Sequence, residues 1–552
     1  MSPIGNRLGM SATDGISTAD ETGTSSSEKS SKSIIHFNNA GASPSPPIVV
    51  RAIADHLARE VELGGYLAAA QVQSELDHVY ASIHRLIHGD AGSNSGADEN
   101  KMDGRQARRE IALVESATVA WTRIFYSMAE CLARRARSEV ARASIISNQP
   151  VTLERIILIS EAEYAANVVA AVKFCREQND MVGYSRGGKS NGAQIRWRVL
   201  TIPSTTYVDA KGQMQNTGVV DTEALKKMMS GRWAMNDSDD TDESGSRFLD
   251  PQSIVMVCVT HIPTNSGIIN PVDEIGAIIE EHNSRQESQA KTQSDSDRRL
   301  PQTLYLVDAC QSIGQIDVSV RTMHCHALTA TGRKYLRGPR GTGFLYVRHD
   351  IADALVPSHV DHSGAPVSEV PKLSLYERAG GSSIDLTASL EFGYQPGAAR
   401  FEFWESNIAA KLGLGAAVDH ALGIGMSTVE EKCCHLGAEL RTRLRLIEGV
   451  EVFHDNIDAK GVPMSKQCGI VVFGVHGMES SHIKMSLLDG GLDDFGPFEV
   501  SVVPATSTPV DSARTMTKDL VRASLSYENS IDEIDEFVKR LEVVLENGKL
   551  AK

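Results

Sequence analysis

Two residues of opposite chemistry, Asp308 and Lys334, stand 26 positions apart along the chain. Asp308 ends the apolar run LYLVD, and Lys334 lies in the glycine-rich segment TGRKYLRGPRGTGFLYV. A lysine amine can form a Schiff base, and an aspartate can keep a ring nitrogen protonated. Thr331, Arg333 and the glycines after Lys334 add hydroxyl, cationic and backbone donors for a doubly negative group. Because pyridoxal phosphate needs all three, we predict that this segment binds it.

Each of these residues has a plainer interpretation when it is taken alone. A buried aspartate at a strand end and a surface lysine beside a Gly-Pro turn are both common features. The ordered pair with its flanking donors nevertheless favours the cofactor-binding interpretation.

The surrounding sequence alternates apolar runs with helical stretches. From Ile111 the runs are IALV, IILIS, IRWRVL, SIVMVCV and LYLVD, which predict a mostly parallel sheet with helices on both faces. Such a sheet has its site at the carboxyl ends of its strands. At the first end Ser116 can cap a helix whose free N–H groups, near Ala117 and Thr118, face an anion. This is a candidate phosphate site, although a plain N-cap has the same sequence.

Several longer motifs resemble the class V aminotransferase family of pyridoxal-phosphate enzymes. They are NNAGASP, EVELGGYLAAAQ, THIPTNSG, TGRKYLRGPRGTGFLYVR, GAARFEFWESNIAAKLGLGAAVDHA and VRASLSYENSIDEID. The resemblance runs from Ile34 to about Leu545 and is closest to the hercynylcysteine sulfoxide lyases of ergothioneine biosynthesis. It implies the α/β fold of PLP-dependent transferases of fold type I. In that fold a large domain with a mostly parallel seven-stranded sheet flanked by helices carries a smaller α+β domain.

The resemblance also implies roles for individual residues. Tyr164 stands where desulfurases carry a histidine on the cofactor ring, and it can stack there or move a proton beside the catalytic Lys334. A core tyrosine with a satisfied hydroxyl is an equal alternative. Arg400, in the tripeptide RFE, is implied to clamp the substrate carboxylate. His261, Thr264 and Asn265 are implied to point toward the cofactor's edge. The residues implied for the cofactor are Ala117, Thr118, Tyr164, Thr264, Asp308, Gln311, Thr331, Arg333, Lys334 and Thr342, and those for the substrate are Asn39, Ala40, Gly41, Arg400 and Trp404.

The chain departs from the desulfurase pattern in two places. Where desulfurases continue RFE with Ala-Gly-Thr, this chain has Phe403, Trp404 and Glu405. An indole beside a carboxylate can bind a quaternary ammonium by cation–π attraction, although packing is its commoner use. The C-terminal segment SVVPATSTPVDSARTMTKDL contains no cysteine, whereas a desulfurase needs a loop cysteine there to accept sulfur.

The resemblance and these departures predict a PLP-dependent carbon–sulfur lyase. Its substrate would be a cysteine S-conjugate, hercynylcysteine sulfoxide, and β-elimination would give ergothioneine, pyruvate and ammonia. The alternative is another class V enzyme: an isopenicillin-N-epimerase-like enzyme, an aminotransferase or a cysteine-desulfurase-like enzyme. A non-catalytic cofactor-binding protein is the remaining possibility, and the intact pair of Asp308 and Lys334 argues against it.

Composition limits the class of protein and its partners. The chain has 552 residues, 41% hydrophobic residues and a formal charge of −16, which argues against non-specific nucleic-acid binding. No apolar run reaches the ~20 residues that span a bilayer, so we expect a cytoplasmic protein without membrane contact. The cysteines show neither a CxxC motif nor a disulfide framework. The resemblance further implies a homodimer in which Thr342 reaches the neighbour's cofactor phosphate.

The domain organisation follows from changes in composition. We expect a disordered tail over 1–33 and a segment over 34–66 that packs with the small domain. The large domain should cover 67–355, with polar inserts at about 89–108, 231–250 and 284–300, and the small domain 356–552. His84 and His88 have a spacing that metal sites use, but no carboxylate or cysteine motif accompanies them. A solvated or partly packed pair is therefore favoured, and no metal is expected.

Overall fold

The computed structural model describes most of the chain. It covers residues 33–89, 103–181, 194–209, 211–235, 247–289, 300–374, 378, 380, 383–453, 456–458, 460–462, 464, 466–489, 496–515 and 517–550. The predicted disordered tail up to residue 32, and the central parts of the three predicted inserts at 90–102, 236–246 and 290–299, lie outside these residues.

The helices and strands alternate over the first two thirds of the chain. The helices are α1 Pro47–Leu63, α2 Gly65–Gln71, α3 Gln73–His88, α4 Gly104–Ala107, α5 Ala117–Ser147, α6 Ala165–Met181, α7 Thr222–Met229, α8 Val272–Gln289, α9 Val320–Met323, α10 His349–Ala352, α11 Leu386–Ser389, α12 Ile408–Ile424, α13 Met426–Leu444, α14 Ser480–Leu488, α15 Pro509–Thr515 and α16 Ile531–Leu550. The strands are β1 Ile35–His36, β2 Ile111–Val114, β3 Thr152–Ser160, β4 Gln194–Ile202, β5 Ser204–Val208, β6 Met214–Val220, β7 Ala234–Met235, β8 Arg247–Phe248, β9 Ile254–Thr260, β10 Leu304–Asp308, β11 Ala327–Thr331, β12 Gly343–Val347, β13 Val367–Glu369, β14 Glu391–Phe392, β15 Val450–Phe453, β16 Ile470–Val475, β17 Phe498–Glu499, β18 Ser501–Val503 and β19 Leu520–Ser524.

A seven-stranded sheet with the order β2-β12-β11-β10-β9-β3-β4 forms the centre of the larger part. Its strands pair in parallel except for β12, which runs antiparallel to both β11 and β2. Strands β9, β10, β11 and β12 are buried along their whole length. They therefore appear in the sequence as continuous apolar runs, as expected for strands covered on both faces. The predicted mostly parallel seven-stranded sheet is confirmed.

Helices cover both faces of this sheet. One hydrophobic cluster joins the sheet to α5 and α6, and another joins it to α3, α7 and α8. The apolar stripe of α3 is buried, whereas the stripe that the helical spacing of Val49, Ile53, Leu57 and Val61 predicts on α1 is buried only in part. Val49 is fully buried, but Leu57 and Val61 are 49% and 88% exposed. The reason is that α1 packs against α12 through Ile53, which crowds Gly413, and this contact turns the end of the stripe outward.

The smaller part is built on a four-stranded antiparallel sheet with the order β15-β16-β19-β18. Helices α13, α14 and α16 pack on it around a separate hydrophobic cluster. Strand β1 pairs in parallel with β17 and so attaches the start of the described chain to this part. The predicted smaller α+β region is confirmed, while its boundary at residue 356 stays a prediction.

No single described helix is long and apolar enough to cross a membrane. Ile408–Ile424 and Met426–Leu444 reach that length and composition only as a pair, which is bent by 82°.

Candidate active site

The carboxyl ends of β2, β3, β9, β10 and β11 meet at a cavity of about 250 Å³. Most of the predicted site residues line it. They are Ala40, Gly41, Ala117, Thr118, Tyr164, Thr264, Asp308, Gln311, Thr331, Arg333 and Lys334.

Lys334 lies in the turn that follows β11. The N–H of Gly332 donates to Thr342 O at 3.0 Å and the N–H of Gly338 donates to Gly332 O at 2.7 Å, which closes this turn. Burial lowers the pKa of the Lys334 amine, and the nearby Cys310 and Asp308 only partly offset that effect. A lowered pKa increases the fraction of neutral, nucleophilic amine, as a Schiff-base lysine requires.

Asp308 ends β10 beside the lysine. Its Oδ1 accepts the N–H of Cys310 at 2.9 Å, and its Oδ2 accepts Nδ2 of Asn167 at 3.1 Å. Two donors from different elements therefore fix the carboxylate in the cavity wall. A fixed acceptor in this position can hold a protonated ring nitrogen.

Glu163 was not predicted from the sequence, and it lies directly behind this carboxylate. It accepts hydrogen bonds from Ser160 Oγ at 2.8 Å, Asn167 Nδ2 at 2.7 Å and the N–H of Thr260 at 2.9 Å. Burial, assisted by the charge of Asp308, raises the pKa of Glu163 to about 7. Asn167 thus connects two carboxyl groups, of which only Asp308 faces the cavity.

An anion site lies at the start of α5. Ser116 is the N-cap, and its Oγ accepts the N–H of Val119 at 3.2 Å. The first N–H groups of a helix have no partner within the helix, so those at Ala117 and Thr118 are available to a phosphate. Arg333 faces the same cavity and donates from Nη1 to Gly41 O at 2.6 Å.

Arg522, on β19, is the most important residue that the sequence analysis missed. Its Nη1 donates to Thr264 Oγ1 at 2.9 Å, while Gln311 Nε2 donates to the same oxygen at 3.3 Å. Arg522 Nε and Gln311 Oε1 are buried at the cavity without a hydrogen-bond partner among the described residues. Buried unpaired donors and acceptors of this kind are where a polar ligand can bind. The sequence feature that could have identified Arg522 is an arginine at a buried position of the apolar strand in VRASLSYENS.

Arg400 does not have the role that its resemblance implied, and this prediction is corrected. Its Nε donates to Gln395 O and Gly397 O, and its Nη1 to Asp353 O and Leu355 O. Its Nη2 bonds Asp353 Oδ1 at 2.5 Å. Every nitrogen of the guanidinium is occupied and the residue does not line the cavity, so Arg400 fixes local structure.

Three other predicted residues also lie outside the cavity. Asn39 lies in a turn, where its side chain donates to Ser524 O at 2.8 Å and accepts from Ser43 Oγ. Thr342 donates to Pro339 O at 2.7 Å, and its predicted contact with a partner's phosphate stays a prediction. Trp404 is 57% exposed and its ring centroid lies 5.3 Å from that of His362.

His261 and Asn265 also point away from the cofactor position. Asn265 Nδ2 donates to Pro504 O at 2.8 Å. His261 lines a different cavity of about 900 Å³, and burial lowers its pKa to about 3. Although it is larger, that cavity contains neither Lys334 nor Asp308.

The residues around the smaller cavity fit pyridoxal 5′-phosphate. Lys334 supplies the amine, Asp308 the partner for the ring nitrogen, and the start of α5 with Arg333 the donors for the phosphate. The unpaired Gln311 Oε1 and Arg522 Nε add directed polar groups at the cavity wall.

Comparison with known proteins agrees with this geometry. The model of the Aminotransferase class-V family matches residues 297–537. A probable cysteine desulfurase of Methanothermobacter thermautotrophicus is 28% identical over 295 residues, which are 53% of this chain and 61% of the relative. A probable cysteine desulfurase of Chlamydia muridarum is 22% identical over 78% of this chain and 83% of its own length. The matched segment thus covers less than two thirds of the length of the first relative and more than two thirds of the length of the second.

A solved structure shares the architecture. The apo cysteine desulfurase of Thermococcus onnurineus superposes with a TM-score of 0.62 at 17% identity, covering 93% of this chain and 95% of the other. Together with the sheet order, this likeness gives the fold as that of PLP-dependent enzymes of fold type I. The family match and the cavity residues give pyridoxal 5′-phosphate as the cofactor.

Proposed function

We propose that the protein is a pyridoxal-phosphate-dependent lyase that breaks the β-carbon to sulfur bond of a cysteine S-conjugate. The observation that carries this proposal is the common cavity of Lys334, Asp308 and Arg522. This combination provides a cofactor-binding amine, a partner for the ring nitrogen and a buried guanidinium with an unpaired Nε.

The reaction needs an acidic proton on the α-carbon and a sulfur leaving group that is held in position. When bound, pyridoxal phosphate supplies an electron sink for the negative charge at that carbon. The unpaired Nε of Arg522 can donate to the α-carboxylate, and Thr264 Oγ1, which accepts from Nη1, orients the guanidinium. Lys334 lines the same cavity as Asp308 and can move the α-proton. Tyr164, 40% exposed, lines the same cavity and can donate a proton to the departing sulfur group.

The finer proposal is hercynylcysteine sulfoxide as substrate. Loss of the α-proton and cleavage of the carbon–sulfur bond release the sulfur at the sulfenic level, and a thiol reductant with two electrons converts it to ergothioneine. The remaining three-carbon fragment hydrolyses to pyruvate and ammonia. The sequence motifs support this substrate. Trp404, whose ring lies outside the cavity of its own chain, adds no support.

A cysteine-desulfurase-like activity is the second candidate. The relatives with that name favour it, and so does Cys310, which lines the cavity. Burial, followed by the charge of Asp308, raises the pKa of the Cys310 thiol well above its ordinary value. Because the thiolate is the form that accepts sulfur, this environment disfavours transfer to Cys310.

We also propose a cytoplasmic homodimer. The exposed apolar residues Leu57 and Val61 on α1, together with Tyr66 and Leu67 on α2, offer a surface that a partner subunit could cover.

Product analysis tests the function. The holoenzyme is incubated with L-cysteine, S-alkyl-cysteine sulfoxides and hercynylcysteine sulfoxide, each with a thiol reductant, and pyruvate and sulfur products are identified by mass. We expect equimolar pyruvate and sulfur product from the sulfoxides, unchanged in Cys310→Ala. Sulfide and alanine from L-cysteine, both lost in Cys310→Ala, would instead establish the desulfurase.

A further inference from the structure

His84 and His88 lie one turn apart at the end of α3, and the fold brings a carboxylate to them. Glu110 stands directly before β2 and follows residues 90–102 in the sequence. Its Oε2 lies 3.3 Å from His84 Nε2 and 3.6 Å from His88 Nε2. The three atoms all lie within 4.8 Å of one another. The sequence showed only the histidine pair, because its carboxylate partner comes from another element.

These separations match the edges of a small coordination tetrahedron. Zinc binds imidazole nitrogen and carboxylate oxygen at about 2.0–2.2 Å, so two of its ligand atoms lie ~3.4 Å apart. The 3.3 and 3.6 Å separations around Glu110 Oε2 fall close to that value. The rings of His84 and His88 are stacked, with centroids 3.7 Å and planes 18° apart, so one ring must rotate for both Nε2 lone pairs to face the same ion.

The outer hydrogen bonds orient the ligand atoms. His88 Nδ1 lies 2.9 Å from His84 O, and a carbonyl can only accept, so the ring proton is on Nδ1. The lone pair of His88 Nε2 then faces Glu110. On the other side, His349 Nδ1 lies 3.1 Å from Glu110 Oε1 and holds the second carboxylate oxygen. Metal-binding histidines and carboxylates are commonly fixed in this way.

We propose that His84, His88 and Glu110 bind a divalent transition-metal ion. Two imidazoles and one carboxylate suit Zn²⁺ best among the ions common in proteins. The site ties the end of α3 to the start of β2 and, through His349, to α10. It has no lining residue in common with the Lys334 cavity, so the ion would stabilise the fold and would not take part in the reaction.

Positively charged side chains surround the three proposed ligands. The adjoining cavity, about 540 Å³, is also lined by Arg109, Arg321 and Arg348. These cations oppose the loose accumulation of metal ions, so affinity must come from the three directed ligands. They also favour an anion, such as hydroxide, at the open fourth position of the metal.

Zinc binding to the PLP-loaded protein tests the proposal. After chelator treatment and dialysis against micromolar Zn²⁺, we expect one zinc per chain by elemental mass spectrometry. His88→Ala and Glu110→Gln should each weaken binding at least about tenfold by calorimetry. His78→Ala is the matched control, because His78 lies on the same helix but bonds Asp419 at the surface. It should bind zinc as the wild type does.

A stability measurement gives a second readout. Zinc at about 100 times its dissociation constant should raise the Tm of the wild type by about 2–3 °C. The increase should vanish in His88→Ala and Glu110→Gln, whose folding is checked by circular dichroism and by the visible absorbance of the bound cofactor. The proposal would be overturned if the wild type and both variants retained the same amount of zinc or showed the same Tm shift. It would also be overturned if the wild type retained no zinc.

Discussion

Arg522 and Arg400 are both buried, but their guanidinium groups differ at Nε, which, within the described ranges, has a partner only in Arg400. Arg400 is 5% exposed and all its nitrogens donate to protein oxygens, whereas Arg522 is 4% exposed and its Nε has no partner among the described residues. The tripeptide RFE indicated Arg400 as the ligand of the substrate carboxylate. A tripeptide records the identity of an arginine, but only the packing decides whether its donors stay free.

We predict different kinetics for conservative changes at the two sites. Arg522→Lys loses the unpaired Nε donor and the planar guanidinium that Thr264 orients, and should lower kcat/KM about 10–100-fold for every amino-acid substrate. Arg400→Lys should leave kcat/KM within about twofold and reduce the free energy of unfolding by ~1–3 kcal/mol. Steady-state kinetics and urea unfolding of both variants measure this contrast. The reverse pattern would restore Arg400 as the carboxylate ligand.

At the element scale, the short connections after the strands determine the site. Asp308 was predictable because it ends an apolar run, and a mostly parallel sheet brings such positions together. Thr331 was predictable from its place in the segment around Lys334, and Tyr164 from the resemblance. Glu163 and Asn167 were missed although they flank Tyr164. Glu163 accepts the N–H of Thr260 on β9, a neighbour that only the strand order identifies, and Asn167 then links Glu163 to Asp308.

We predict that Glu163 gives the stability of the protein a distinct pH dependence. Its pKa is about 7 in the folded protein, above the ordinary value of 4.5, so the folded state holds the proton more tightly than the unfolded chain. The resulting stability is fully present below about pH 4.5 and is lost as the pH rises to about 7, by ~3 kcal/mol in total. Glu163→Gln should remove this loss, as measured by urea unfolding between pH 5 and 8.

The control for that experiment is Glu177→Gln, because Glu177 lies on α6, the helix that begins just after Glu163, but is exposed and pairs with Lys173. It should retain the wild-type pH slope. A Glu163→Gln protein with the wild-type slope would show that Glu163 is ionised in the folded state throughout this range.

The close approach of β12 to the start of α5 yields another prediction. A Cβ on Gly343 would lie 2.6 Å from Ala330 O and 2.9 Å from Ser116 C. Gly343→Ala should therefore move the anion site, weaken cofactor binding at least about tenfold and destabilise the fold by ~1–3 kcal/mol. Dialysis followed by visible absorbance measures the retained cofactor.

Gly423→Ala on α12 is the comparison variant, because nothing lies within 4 Å of its added Cβ. It should keep the cofactor. If Gly343→Ala keeps it equally well, the phosphate is bound elsewhere.

At the scale of the whole molecule, the fold class was predictable and the detailed packing was not. Continuous apolar runs such as LYLVD identify strands buried on both faces, and their alternation with helices predicts the sheet. The outward turn of Leu57 and Val61 could not be predicted, because helical periodicity gives a stripe but not the neighbour that covers it. The meeting of His84, His88 and Glu110 was hidden for the same reason.

We predict that the exposed side chains of α1 and α2 lie in a subunit interface. Val61→Asp together with Leu67→Asp should convert a dimer to monomers, because two buried carboxylates without partners are costly. Light scattering of the wild type and of this double variant measures the change. A wild type that stays monomeric at micromolar concentration with full activity would exclude the dimer.

The central claim is that Lys334, in the cavity with Asp308, holds the cofactor. The most direct test is borohydride reduction of the holoprotein followed by peptide mass mapping. We predict one phosphopyridoxyl group per chain on Lys334, and none in a Lys334→Ala protein that still folds. A reduced adduct on any other lysine, or an equal adduct in Lys334→Ala, would contradict the assignment.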